Sequence, residues 1–185
     1  MPKVLLVLSH PKYKESFANK IIVEKLKTLI PEIEIDHIDE LYPDEKIDIK
    51  SEQEKLLRND IIIFQFPMYW HNRPHFLSRW FEDVYEHGFA YGSKGKKLKD
   101  KKIIVSMTLG NTEKFFTGEI SLNNLISPFK ASCAYTEQKF LGYVFTDRIP
   151  FHIKAMPEEI KEKNKMLEKH AEKLAEMVKN NKMLI

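Results

Sequence analysis

One cysteine, six glycines and no apolar run long enough to cross a bilayer: what this 185-residue chain has little of narrows its chemistry first. A lone Cys133 forms neither an internal disulfide nor a thiolate metal cluster, which suits a reducing compartment, and it reads as a small buried hydrophobe. The glycines spell neither G-x-G-x-x-G nor a Walker loop, so a Rossmann dinucleotide fold and a P-loop enzyme are disfavoured. Charge of one sign is scarce as well. Lys plus Arg number 30 against 27 Asp plus Glu, spread along the chain, so no nucleic-acid footprint is visible and no nucleic-acid partner is expected. A G-x-S-x-G elbow and a plausible cysteine nucleophile are missing, which disfavours covalent hydrolysis. His71 and His75 have the spacing of helix-borne zinc ligands, but Pro74 lies between them and no metallohydrolase glutamate accompanies them, so no metal is expected. Met1-Pro2-Lys3 leads straight into a strand pattern with no signal-peptide cleavage region, and the expectation is a cytoplasmic protein of one domain, residues 1–185.

What is present centres on Asp60 to Gly92. Ile61 to Phe64 is an unbroken, mostly β-branched apolar run, the pattern of a parallel strand buried on both faces. Pro67-Met68-Tyr69-Trp70 follows, large flat and polarizable side chains in a segment that Pro67 keeps from being helical. Pro74 then opens a helix, and Phe76, Leu77, Trp80, Phe81 and Val84 repeat down one face. An aromatic loop is thereby held at the carboxyl end of a strand, where open α/β sheets bind ligands. A planar heteroaromatic cofactor is its natural guest.

Two further loops point the same way. Val4 to Leu8 reads as a second central strand, ended by Ser9-His10-Pro11, and a helical pattern starts behind Ser16 and runs to Pro31. Ser16 is placed to cap that helix, and the free amides of its first turn, with His10, Ser16 and Asn19, offer donors to a phosphate. Glu32 to His37 alternates as an edge strand. Asp39 to Ser51 reads as a loop without obvious chemistry, leading to a short helix over Glu52 to Asn59. Gly92 to Lys97 reads as a mobile surface connection. Lys102 to Met107 is the fourth strand, and Thr108-Leu109-Gly110-Asn111 lets backbone amides approach a ligand. A helix over Ile120 to Phe129, ended by Pro128, a fifth strand from Ala134 to Phe145 and a final helix from Pro157 complete a doubly wound α/β domain.

These motifs carry a resemblance. Ser9-His10-Pro11, Ser16-Phe17-Ala18-Asn19, Phe66-Pro67-Met68-Tyr69-Trp70, His87-Gly88-Phe89-Ala90-Tyr91-Gly92 and Thr108-Leu109-Gly110 together resemble the flavodoxin-like NAD(P)H:quinone oxidoreductases, the DT-diaphorase superfamily. The likeness is closest to the small bacterial branch that includes the ancillary subunit of glutathione-gated potassium efflux. It implies a flavodoxin-like five-stranded parallel sheet of order 2-1-3-4-5. It implies bound FMN rather than FAD, with NAD(P)H as co-substrate. By the resemblance, His10 and Ser16, Phe17, Ala18 and Asn19 hold the flavin phosphate, Pro67, Met68, Tyr69, Trp70 and His71 border the isoalloxazine, and Thr108, Leu109, Gly110 and Asn111 give amides near its pyrimidine edge. The chain departs from the family in having Asn111 where a second glycine is usual and Phe116 where DT-diaphorase has a tyrosine, which removes a hydroxyl from any charge relay there; His152 is the candidate catalytic group in its place.

The resemblance also implies a homodimer with its active sites at the subunit interface, and the aromatics of the central helix, Trp80, Phe81 and Tyr85, read as a surplus available to anchor it. The expected reaction is a ping-pong relay of a hydride from NAD(P)H through FMN to a quinone or similar small electrophile. The alternative is a flavin-bearing regulatory subunit of a potassium efflux channel, peripheral on the inner face of the membrane, with incidental turnover. An electron-transfer flavodoxin fits less well, because those domains are strongly acidic and this chain is nearly balanced.

Overall fold

A computed structural model describes residues 2–150, 152–153 and 156–181. The apolar runs that have no polar side to turn outward form its centre. Strands β1 (Val4–Leu8) and β3 (Ile61–Pro67) are buried at every residue, and β4 (Lys102–Thr108) at every residue but its first. Strands β2 (Glu34–His37) and β5 (Lys139–Thr146) are only partly buried and lie at the edges. All neighbours are parallel, in the order β2-β1-β3-β4-β5. This is the expected flavodoxin-like order.

Alternation along the strands divides the core between two faces. Leu6, Leu8, Ile61, Ile63 and Ile104 meet helices α1 (Ala18–Leu29) and α7 (Pro157–Asn180) on one side. Leu5, Val7, Phe64, Phe66 and Val105 face the other side, where Leu56 of α3 (Ile49–Arg58), Leu77 and Trp80 of α4 (His75–Val84) and Phe129 of α6 (Ser127–Tyr135) cover them. Two short helices, α2 (Ile38–Leu41) and α5 (Leu122–Leu125), lie in the connections. The chain leaves β1 towards β2 and leaves β3 towards β4, in opposite directions along the sheet, so the loops part above β1 and β3. A crevice forms where they part.

Several local expectations give way to tertiary context. The segment before Glu52 contains α2, and α3 starts at Ile49 because the Asp48 side chain accepts the Ser51 N–H at 3.0 Å as an N-cap. Pro128 opens α6 instead of ending a helix, since the first turn needs no donor there. Ala134 and Tyr135 consequently belong to α6, and the fifth strand begins at Lys139. The edge strand is shorter than Glu32 to His37, starting at Glu34.

The glycine- and lysine-rich connection is anchored, with Lys97 N–H on the Phe89 carbonyl at 3.1 Å and Leu98 buried. A Cβ at Gly95 would sit 1.8 Å from the Tyr91 carbonyl oxygen, and one at Gly92, where φ is +92°, would meet the His87 ring at 2.5 Å. The His87 to Gly92 motif is therefore a folded brace. The surplus aromatics are likewise consumed within the protomer: Trp80 is fully buried, and Phe81 packs on Phe64, Tyr85 and Phe129 with ring centroids 4.8, 4.8 and 5.6 Å away. Trp80 and Phe81 fill the core and are not available as interface anchors, whereas Tyr85 packs against the core half-buried.

Candidate functional site

At the carboxyl ends of β1, β3 and β4 a cleft of about 260 Å³ opens, with the first turn of α1 on one side and the segment after β5 on the other. Its two ends differ chemically. One end is rich in hydrogen-bond donors. Ser16 precedes α1, and its Oγ accepts the Asn19 N–H at 3.1 Å, so it caps the helix as expected. The Phe17 and Ala18 amides at the helix start find no acceptor among the described residues and line the cleft. A partial positive charge thus faces the open space.

His10 adds a fixed donor. Its backbone N–H is held at 2.8 Å by the Asp39 carboxylate, which gives Asp39 of α2 a positioning task that the sequence did not reveal. The ring Nδ1 accepts the Lys12 N–H at 3.1 Å, which leaves the hydrogen of a neutral ring on Nε2. Burial lowers the imidazole pKa to about 4, its own backbone hydrogen bond opposes this, and His37 nearby lowers it further. At neutral pH His10 is an uncharged donor in the cleft wall.

Behind the donor end runs a buried polar chain. Asn19 Nδ2 donates to Thr108 Oγ1 at 3.3 Å and, at 3.4 Å, to Ser16 Oγ. Gln65 Nε2 donates to Asn19 Oδ1 at 2.5 Å, and Ser106 Oγ donates to Gln65 Oε1. Ser106 Oγ also meets His170 Nε2 at 2.7 Å, and His170 Nδ1 meets Thr146 Oγ1 at 2.9 Å. His170 is 2 % exposed, and burial, with some help from Lys173, pushes its pKa down to about 3, so the ring is neutral.

The other part of the lining is apolar. Pro67, Met68 and Tyr69 line it from the β3 loop, and Ile149, Pro150 and Ile153 from the segment after β5. Met68 N–H on the Thr108 carbonyl at 2.9 Å ties the β3 loop to the end of β4. Tyr69 and Asn72 then exchange backbone hydrogen bonds, each 2.9 Å, around a two-residue turn in which Trp70 (φ 47°) and His71 (φ 63°) are both left-handed. Bulky residues there cost on the order of 1 kcal/mol each, where Asn-Gly would be relaxed. Arg73 braces the turn: its guanidinium lies 4.7 Å from the Phe81 ring centre and 5.3 Å from that of Phe129, with Nε on Ser78 Oγ at 2.9 Å. The strained turn projects Trp70 outward, 94 % exposed.

Residues 2–176 match the model of a family described as having a flavodoxin-like fold. The chain belongs to this family. It is 36% identical over 155 residues to a Bacillus subtilis (strain 168) protein named uncharacterized NAD(P)H oxidoreductase YrkL, an alignment covering 82% of this chain and 88% of that one. It is also 36% identical over 140 residues, 75% of this chain and 79% of the other, to the glutathione-regulated potassium-efflux system ancillary protein KefF of Enterobacter sp. (strain 638). Among solved structures, general stress protein 14 of Treponema denticola in complex with FMN superposes with a TM-score of 0.79 at 27% identity, covering 94% of this chain and 99% of that one.

In this flavodoxin-like chain the cleft brings together His10, Ser16, Phe17, Ala18, Asn19, Pro67, Met68, Tyr69, Thr108 and Gly110. Five other candidates lie off its lining. Trp70 points to solvent, and His71 packs towards Phe115 with ring centroids 5.6 Å apart. Leu109 is buried and its N–H is committed to the Thr146 carbonyl at 2.9 Å, so it offers neither side chain nor amide. Asn111 Oδ1 caps the Thr112 N–H at 2.8 Å. His152 is exposed, although Ile149, Pro150 and Ile153 around it do line the cleft. The residues missed from sequence are Lys12, Glu15, Ile149, Pro150 and Ile153 in the lining and Gln65, Ser106 and His170 beneath it. Gln65 and Ser106 carried a signal, as polar residues inside strands that are otherwise apolar.

Proposed function

We propose that this chain is a flavin-dependent NAD(P)H oxidoreductase that holds FMN in the cleft and passes electrons to a quinone or similar small electrophile by a ping-pong sequence, acting as a single domain. The observation that carries this reading is the division of the cleft. Helix-terminal amides of Phe17 and Ala18, the hydroxyls of Ser16 and Thr108 and the Nε2–H of a neutral His10 form a set of donors suited to a phosphate. Next to them, Pro67, Met68, Tyr69 and Ile149 give apolar walls suited to a fused ring. The residues present therefore fit FMN. A second phosphate and an adenosine have no comparable set of donors among the lining residues, which favours FMN over FAD.

When bound, the flavin supplies two-electron acceptance from NAD(P)H and donation to the acceptor. The protein's own part is to orient and to exclude water. Met68 and Tyr69 would hold the flavin from the β3 loop, and the Gly110 amide, with no acceptor among the described residues, would be free to donate to it. No side chain with an acid or base task is needed in the lining. His152, exposed beside the cleft, is available to contact a substrate and is not required by this scheme.

The exposed aromatic rim, with Trp70 94 %, Phe115 43 % and Tyr69 42 % exposed, is apolar enough to be covered by a second copy, which supports a homodimer with the cleft near its interface. Similarity to the efflux ancillary protein supports a second reading, a flavin-bearing subunit docked on a potassium efflux partner at the inner membrane surface. No helix among the described residues is long and apolar enough to cross a membrane, so such an association would run through the partner.

Purified protein should be yellow, release FMN on denaturation and oxidise NAD(P)H with a benzoquinone. Colourless protein that takes up no FMN and leaves NAD(P)H unoxidised contradicts the reading. Co-purification with a membrane efflux protein distinguishes the docked subunit from the free enzyme.

A further inference from the structure

The buried chain beneath the cleft has a direction, and the direction matters. A neutral histidine has one ring nitrogen that donates and one that accepts, an amide has one end of each kind, and a hydroxyl donates once. Fixing any one member therefore fixes all the others. With Asn19 Nδ2 directed at Ser16 and Thr108, Gln65 Nε2 donates to Asn19 Oδ1 and Ser106 Oγ donates to Gln65 Oε1. Ser106 has then spent its hydrogen and can only accept from His170, which places the ring proton on Nε2. His170 Nδ1 is left to accept from Thr146 Oγ1. Ser16 Oγ already accepts from Asn19 N–H and Nδ2, and Thr108 Oγ1 from Nδ2, so both hydroxyl hydrogens are released towards the cleft that these residues line.

Reversing every donor gives a second self-consistent chain. In it both hydroxyls donate backwards to Asn19 Oδ1, lone pairs face the cleft, and His170 carries its hydrogen on Nδ1. That floor repels an anion. The two polarities are told apart by the tautomer of His170, a ring separated from the two hydroxyls by Asn19, Gln65 and Ser106. Desolvation keeps the ring neutral, so one nitrogen and only one is protonated.

We propose that His170, as its Nε2–H tautomer, is the positioning residue that sets Ser16 and Thr108 as donors into the cleft and so makes the cleft floor selective for a phosphate oxyanion. The inference rests on the reading of this cleft as the FMN site and deepens it. His170 touches no ligand. It acts by denying Ser106, and through Gln65 and Asn19 the two hydroxyls, the alternative polarity. Hydrogen bonds to a charged acceptor are worth more than those between neutral groups, so the penalty for the wrong polarity falls on the phosphate and not on the ring.

The test uses the intact protein labelled with nitrogen-15 at histidine, with the His170 signals identified by their loss in His170→Gln. Long-range proton–nitrogen correlation then reads the tautomer directly, independent of turnover. FMN-loaded protein should show His170 protonated at Nε2; protonation at Nδ1 overturns the proposal while leaving flavin binding intact. If FMN does not bind, the flavin reading fails, and inorganic phosphate decides the inference alone: Nε2 protonation at saturating phosphate supports it, and Nδ1 protonation or no phosphate binding overturns it. In a second arm, His170→Phe, which neither donates nor accepts, should weaken FMN binding tenfold or more and leave riboflavin, which lacks the phosphate, within twofold of wild type. His170→Gln, which retains one donor and one acceptor, should recover most of the FMN affinity. Equal losses for FMN and riboflavin, or no loss for FMN, mark a merely structural histidine. The tautomer measurement on wild-type protein stands even if the phenylalanine variant does not fold.

Discussion

Two sets of polar side chains are buried on opposite faces of the same sheet, and they are built from opposite materials. Between the sheet, α1 and α7, the chain from Ser16 to Thr146 is formed of amides, hydroxyls and a neutral imidazole, and it ends in the cleft. Between the sheet, α3 and α4, the set is ionic: Lys55 Nζ lies 2.7 Å from Asp36 Oδ1 and 2.5 Å from Glu52 Oε1. Glu52 also accepts from Tyr42 OH at 2.6 Å and Trp80 Nε1 at 2.9 Å. That set does not line this cleft. Buried charges are tolerated only when several partners converge on them, which locks the ionic set in one arrangement and suits it to joining α3, α4 and β2. A neutral chain costs less to bury and can be polarised by what lies at its end, which suits it to sensing a ligand.

The largest expected effect breaks the ionic set. Glu52→Ala leaves Lys55, Tyr42 and Trp80 without their shared acceptor and should lower unfolding stability by about 3–5 kcal/mol in urea titration, with FMN affinity of the folded fraction unchanged. A parallel loss of affinity would show that the two sets are coupled.

The pH responses of the two sets should have opposite signs. Asp36, desolvated beside Glu52, holds its proton up to about 8 when folded against 3.8 as its ordinary value. A raised carboxyl pKa contributes stability that is complete below the unfolded value and is lost as pH rises through the folded one, here between about pH 4 and 8. His170 is lowered to about 3 from 6.5, so its contribution is complete above 6.5 and is lost as pH falls through 3. Urea midpoints of Asp36→Asn relative to wild type should therefore improve as pH rises to 8, and those of His170→Gln should improve as pH falls below 6.5. A common trend for both variants would contradict the contrast.

Ser16→Ala probes where the neutral chain meets the cleft. Removing one donor to a charged group should weaken FMN binding by about 1.5–3 kcal/mol, and loss of the cap should lower stability by about 1 kcal/mol, both readable by calorimetry. Smaller again is the strained turn. Replacing Trp70-His71 by Asn-Gly should raise stability by about 1–2 kcal/mol by relieving two left-handed bulky residues, while removing the exposed indole should reduce self-association measured by sedimentation.

The sequence told most where one residue type admits one environment. Val4 to Leu8 and Ile61 to Phe64 can only be central strands, and with them came the sheet, its crevice and the donor and aromatic loops. It told less wherever the meaning of a residue depends on a partner far along the chain. Pro128 signals a boundary but not which side of it is helical, and the surrounding helix decided that. Trp80 reads as surplus until Glu52 and Phe64 are seen against it. Asp39 reads as loop until it is found holding the His10 amide. Trp70 reads as a cleft wall until the left-handed turn carries it outward. His170 sits on an apolar helix face where a satisfied core histidine is the ordinary reading, and only the positions of Ser106 and Thr146 give it a task.

The central claim is that one end of the cleft grips a phosphate while the other accepts a flat ring. Side-by-side equilibrium titration of the apoprotein with FMN and riboflavin measures that division directly. The account predicts that FMN binds at least a hundredfold more tightly than riboflavin; equal affinities, or no binding of either, would contradict it.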